Sequence, residues 1–133
     1  MSANDANWTK LREFRAVDLA ASYVLSWELS RGSLRIDLDL CLLPEHPFYE
    51  TPRPKEKACI RAALLEFPQL SRLVAASRAP ACTTAGELAA GLPGGRIRDL
   101  NLIDDGRYDL QGAFGTVEIH AGRPILRLKG HTR

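Results

Sequence analysis

Hydrophobic and polar residues alternate most cleanly in the stretch 22–43, SYVLSWELSRGSLRIDLDLCLL. Leu34, Ile36, Leu38, Leu40 and Leu42 are separated by Arg35, Asp37, Asp39 and Cys41. That period of two marks a strand with one buried face. The preceding arm carries Tyr23, Leu25, Trp27 and Leu29 on one parity and Ser22, Val24, Ser26 and Glu28 on the other. The pattern predicts that the first set faces inward. Ser30-Arg31-Gly32-Ser33 is the polar break between the arms, with Gly32 supplying the positive φ of a tight hairpin. An isolated hairpin is barely stable, so the rest of the chain must cover its apolar face.

Upstream, Trp8, Leu11, Phe14 and Val17 recur every three residues. This predicts a short amphipathic helix or 3₁₀ stretch laid against the sheet, with Asn7 as its cap. Downstream, Pro44 stops the second strand, and 44–57, PEHPFYETPRPKEK, holds four prolines and no period. It reads as a loop, because proline cannot donate to a strand ladder. Its length is that of a functional loop or a disordered one, and Phe48 and Tyr49 argue for order. Segment 58–67, ACIRAALLEF, is open between helix and strand; Pro54 and Pro68 bracket it and favour a strand. Leu70, Leu73 and Val74 suit either a further short strand or a helical turn.

Thr84 with Glu87 three residues on has the form of a capping box opening a helix over 85–90, closed by Gly91. From Arg96 the pattern is again β: strands over 96–104, 107–113, 116–121 and 124–129, with Asp105-Gly106 and Gly122-Arg123 as turns. Gly115 is expected at a bulge or a close approach. Trp27, Leu25, Ile36, Leu38, Leu110 and Ile119 are the expected core. The fold class is therefore all-β and mainly antiparallel, a sandwich or rolled barrel of roughly eight strands with one or two short helices.

At 133 residues the chain fits a single domain, 1–133, with 1–7 and 130–133 as tails. An apolar share of 45%, a charged share of 26% and a net charge of +2 are those of a soluble globule. Scattered basic residues give no footprint for nucleic acid, and no run reaches the roughly 20 apolar residues that span a bilayer. The N-terminus lacks the apolar core of a secretory signal. Cys41, Cys59 and Cys82 are odd in number and form no CxxC, so reduced thiols and a cytoplasmic location are expected.

Candidate chemistry is sparse. Glu45-His46, near Tyr49, Glu56 and Cys59, has the residue types of a general base or a zinc site. Its spacing matches no metal motif, and His120 and His131 are distant in sequence. The expected role of His46 is a hydrogen bond to backbone that fixes the Pro44–Pro47 turn. Asp37 and Asp39 share one strand face, which suits a cation or acid–base pair but more commonly a solvated row. Gly94-Gly95-Arg96 and Gly112-Ala113-Phe114-Gly115 lead into no helix and so are not phosphate loops. The proline loop joins aromatics to basic residues, as interaction surfaces do. His46, Phe48, Tyr49, Arg53 and Glu56 are accordingly the expected binding residues, with Lys55 and Lys57 beside them. No metal and no cofactor are called for.

Ser22, Val24, Leu25, Ser26 and Trp27, followed by Pro44, Glu45, His46, Pro47, Tyr49 and Pro52, and then Ala58-Cys59, resemble a group of small bacterial proteins of uncharacterised activity. More loosely, the eight-strand plan is similar to small all-β immunity proteins of bacterial toxin systems. That resemblance implies a non-catalytic role as a binder of another protein. Two alternatives stay open: a small-ligand binder or simple enzyme with its pocket around His46, and a homo-oligomer, in the simplest case a homodimer, in which the hairpin edge pairs across a two-fold axis.

Overall fold

A computed structural model of the chain describes residues 6–52, 54, 58–75 and 84–129. Among these the structure is all-β, with one short helix. The strands are β1 (Ala6–Asn7), β2 (Val17–Ser30), β3 (Ser33–Leu42), β4 (Cys59–Phe67), β5 (Arg72–Ala75), β6 (Gly95–Asp104), β7 (Arg107–Gly112), β8 (Gly115–His120) and β9 (Ile125–Leu128). The helix α1 (Ala85–Gly91) precedes β6. Eight strands form one antiparallel sheet in the order β5-β8-β7-β6-β2-β3-β4-β9, and the two-residue β1 pairs with β6. The sheet is not closed into a barrel, since β5 and β9 each have a single strand neighbour. It bends over one core, so that Phe67 of β4 meets Tyr108 of β7 with ring centroids 5.3 Å apart.

Local chemistry sets the joints. Asn7 caps the first of two 3₁₀ turns, Trp8–Lys10 and Arg12–Phe14, by accepting from the Thr9 amide. The Thr84–Glu87 capping box opens α1 as its sequence requires. Arg31 and Gly32 both have positive φ (53° and 79°), the geometry that matches the twist of a two-residue hairpin. Segment 58–67 is a strand, β4, flanked by β3 and β9. Both its edges are occupied, so sheet pairing overrides the helix preference of its Ala and Leu.

The long strand β2 departs from simple alternation. Its buried positions are Val17 and Leu19, then Ser22 and Val24, then Trp27. Parity switches twice, at the two places where its register with β3 shifts. At the first, the Ser22 hydroxyl is fully buried; it donates to the Asp18 carbonyl and accepts from the Cys41 amide, both at 2.9 Å. That side chain satisfies backbone groups the irregular ladder leaves unpaired. At the second, Leu25 is the extra residue between the Val24–Leu38 and Ser26–Asp37 pairs.

The expectation that Tyr23 and Leu25 point inward is therefore corrected: they are 47% and 54% exposed. Trp27, beyond both shifts, returns to the core. It donates from Nε1 to the Pro93 carbonyl (2.8 Å) and meets Phe114 edge-on at 5.1 Å. Ile36, Leu38, Leu110 and Ile119 are buried as expected.

Gly115 opens β8 opposite Gly112, at φ 96° with open space around it, rather than at a close approach. Close approaches fall instead at Gly112, where an added Cβ would sit 2.3 Å from the Arg96 carbonyl oxygen, and at Gly94, 2.5 Å from that of Val24. The β2–β3 hairpin lies inside the sheet, with β6 beside β2 and β4 beside β3. β6 covers β2 only at the Tyr23–Arg96 and Val24–Gly95 pairs. Among the described residues no helix is long and apolar enough to cross a membrane.

Candidate functional site

The β3–β4 loop is held at both ends. On leaving β3, the Leu43 amide donates to the Ala16 carbonyl (2.9 Å). The His46 amide then donates to Leu43 (2.9 Å), and the Tyr49 amide to His46 (3.0 Å), giving two consecutive turns. At the far end the Glu50 amide donates to the Cys59 thiol at 3.5 Å, and Glu50 pairs with Arg61. Tyr49 packs against the hydrophobic core. Phe48 remains 44% exposed.

His46 organises this loop as an acceptor. Its Nδ1 receives the Phe48 amide at 3.1 Å, and the two rings lie 5.8 Å apart, tilted by 42°. The hydrogen bond assigns the ring proton of the neutral imidazole to Nε2. Burial pushes the His46 pKa below its ordinary value, so the ring is neutral at pH 7. The expected bond to backbone exists, with the imidazole accepting rather than donating.

Two clefts adjoin the base of the loop. One, of about 390 Å³, is lined by Arg15, Ala16, Glu45, His46 and Pro47. The other, also about 390 Å³, runs along the 3₁₀ segment from Trp8 to Val17 and is closed by Leu43. They share Arg15 and Ala16. Ala16 has φ 61°, a left-handed conformation that disfavours a residue with a Cβ, and its carbonyl ties the segment to Leu43. The first cleft offers a guanidinium, a carboxylate and the His46 imidazole. Among the described residues its lining includes no serine, threonine or cysteine that His46 could activate. The arrangement suits hydrogen bonding and charge pairing with a bound group.

The other candidates are spread over the molecule. Asp37 accepts from Lys129 at 2.8 Å and from Ser26 at 3.0 Å, and these bonds hold its carboxyl below the ordinary range. Asp39 sits one register row away, between Tyr23 and Ala62. The two carboxylates thus share a face but not a partner. Cys41 and Cys59 are buried free thiols; burial, with Asp18 nearby, pushes the Cys41 pKa up. His120 contacts Glu118 on β8, whereas His46 lies in the loop after β3. No group of three or more His, Cys, Asp or Glu side chains among the described residues is placed to hold a metal ion. Arg53, Glu56, Lys55, Lys57 and Cys82 lie outside the described residues.

Sequence reasoning missed the contribution of Trp8, Lys10, Arg12 and Arg15 to this region. The signal was present as three cations against one carboxylate, Glu13, within 8–17. Comparison with family models, with curated proteins and with solved structures finds no match to this chain.

Proposed function

We propose that this chain is a non-catalytic binding module for another protein, with the β3–β4 loop as one wall of its binding face. The observation that carries this reading is Phe48: an exposed aromatic on a loop whose backbone is fixed by His46, Tyr49 and Glu50. An aromatic anchor contributes most to affinity when its loop loses little freedom on binding. His46 supports the same reading, because its Nδ1 is occupied by the loop itself.

An immunity or accessory role in the bacterial cytoplasm is the most concrete form of the proposal. It rests on the resemblance of the strand plan.

The test is a parallel affinity purification from the native cell with wild-type and Phe48→Ala baits, read by mass spectrometry. The expected result is one protein retained in near-stoichiometric amount by the wild type and lost by the variant. Retention of the same protein equally by both baits, or of none by either, would overturn the reading.

A further inference from the structure

The cleft along the 3₁₀ segment has a composition of its own. Its base rests on Leu11, Phe14 and Val17, which are buried in the core, and the apolar surface it offers is that of Trp8 and Leu43. Its rim carries Lys10, Arg12 and Arg15, all exposed. None of the three makes a side-chain hydrogen bond or ion pair to another described residue. The one carboxylate in the segment, Glu13, is taken by Arg123, whose Nε and Nη2 donate to it at 2.6 and 2.8 Å. One carboxylate already held by Arg123 does not balance the three rim cations.

We infer that this cleft binds a free carboxylic acid with an apolar body, the carboxylate lying among Lys10, Arg12 and Arg15 and the hydrocarbon or aromatic part against Trp8 and Leu43. Three arguments converge on that class. That apolar surface favours a ligand that removes hydrocarbon from water. Unpaired cations at its rim favour a single anionic head, and guanidinium groups match a carboxylate fork. A volume of about 390 Å³ fits a small molecule. The left-handed Ala16 holds the cleft wall against Leu43, so the shape exists before ligand arrives. This site is separate from Phe48 and does not depend on the protein-binding proposal.

The experiment is a titration of the full chain with 3-phenylpropionate, with octanoate and with neutral 3-phenylpropanamide, followed by ¹H–¹⁵N NMR. The two indole N–H signals report different places, Trp8 in the cleft and Trp27 bonded to Pro93 in the core. The expected result is saturable movement of the Trp8 indole and of amides in 8–17 and 43 with one or both acids, while the Trp27 indole stays in place. The amide should bind about tenfold more weakly or worse, and so should the acids to a Lys10→Gln/Arg12→Gln/Arg15→Gln variant. These side chains are exposed, so the variant keeps its fold, as its Trp27 signal would show. No saturable change up to about 10 mM of either acid, or equal binding of acid and amide, would overturn the inference.

Discussion

Glu13 and Arg123 meet across 110 residues of chain, in a two-pronged ion pair that fixes the second 3₁₀ turn to the approach to β9. The pair joins residues from opposite ends of the chain and engages the one carboxylate of the 3₁₀ segment.

The bond to Arg123 holds the Glu13 carboxyl below its ordinary range. A folded pKa below the unfolded one means that the contribution is complete above the unfolded value, about 4.3, and is lost as pH falls through the folded value. Arg123 is half exposed, so solvent screening limits the effect, and Glu13→Gln should cost about 1 kcal/mol at pH 7. Melting temperature measured against pH should show the wild-type advantage shrinking below about pH 4. An advantage independent of pH would mean that packing, not charge, is what the substitution removes.

Leu38 and Leu25 test the parity of the central hairpin. Leu38 is fully buried and Leu25 stands out on the bulge. In denaturant melts Leu38→Ala should cost about 2–5 kcal/mol, whereas Leu25→Ala should cost less than about 0.5 kcal/mol. Comparable losses would place Leu25 in the core and remove the second register shift.

The Ser22 hydroxyl serves a donor and an acceptor of the backbone in a site without access to water. Ser22→Ala leaves the Cys41 amide and the Asp18 carbonyl without that partner. The expected cost is about 1–3 kcal/mol, with faster exchange of the Cys41 amide hydrogen. Unchanged stability and exchange would show that the irregular ladder does not depend on this bridge.

Much of the fold could be read because the β3 sequence alternates from Leu34 to Leu42 and β4 pairs with it residue by residue. What misled the reading of β2 was the assumption of one unbroken period. Neither the Ser22 bridge nor the extra Leu25 alters local composition, and each is set by where Cys41 and Leu38 fall on the partner strand. His46 was legible as a loop-fixing residue because it sits between prolines, but its accepting role depends on where the Phe48 amide points. The cleft was legible only as an excess of cations in 8–17, because the partner of Glu13 is an arginine near the other end of the chain.

Phe48 and Tyr49 should separate in their effects although they are adjacent. Tyr49 packs on the core, so Tyr49→Ala should lower stability by about 1–3 kcal/mol. Phe48→Ala should lower the melting temperature less than Tyr49→Ala, because Phe48 is 44% exposed and lies outside the core cluster. Equal losses from both would make the whole loop part of the core.

The most direct measurement is calorimetric binding of wild type and Phe48→Ala to the protein that the wild-type bait retains, with thermal melts of both chains alongside. The account predicts binding weakened by about 1–3 kcal/mol with only a small change in melting temperature. Undiminished binding together with a lowered melting temperature would contradict it, since the loop would then hold the fold together without taking part in recognition.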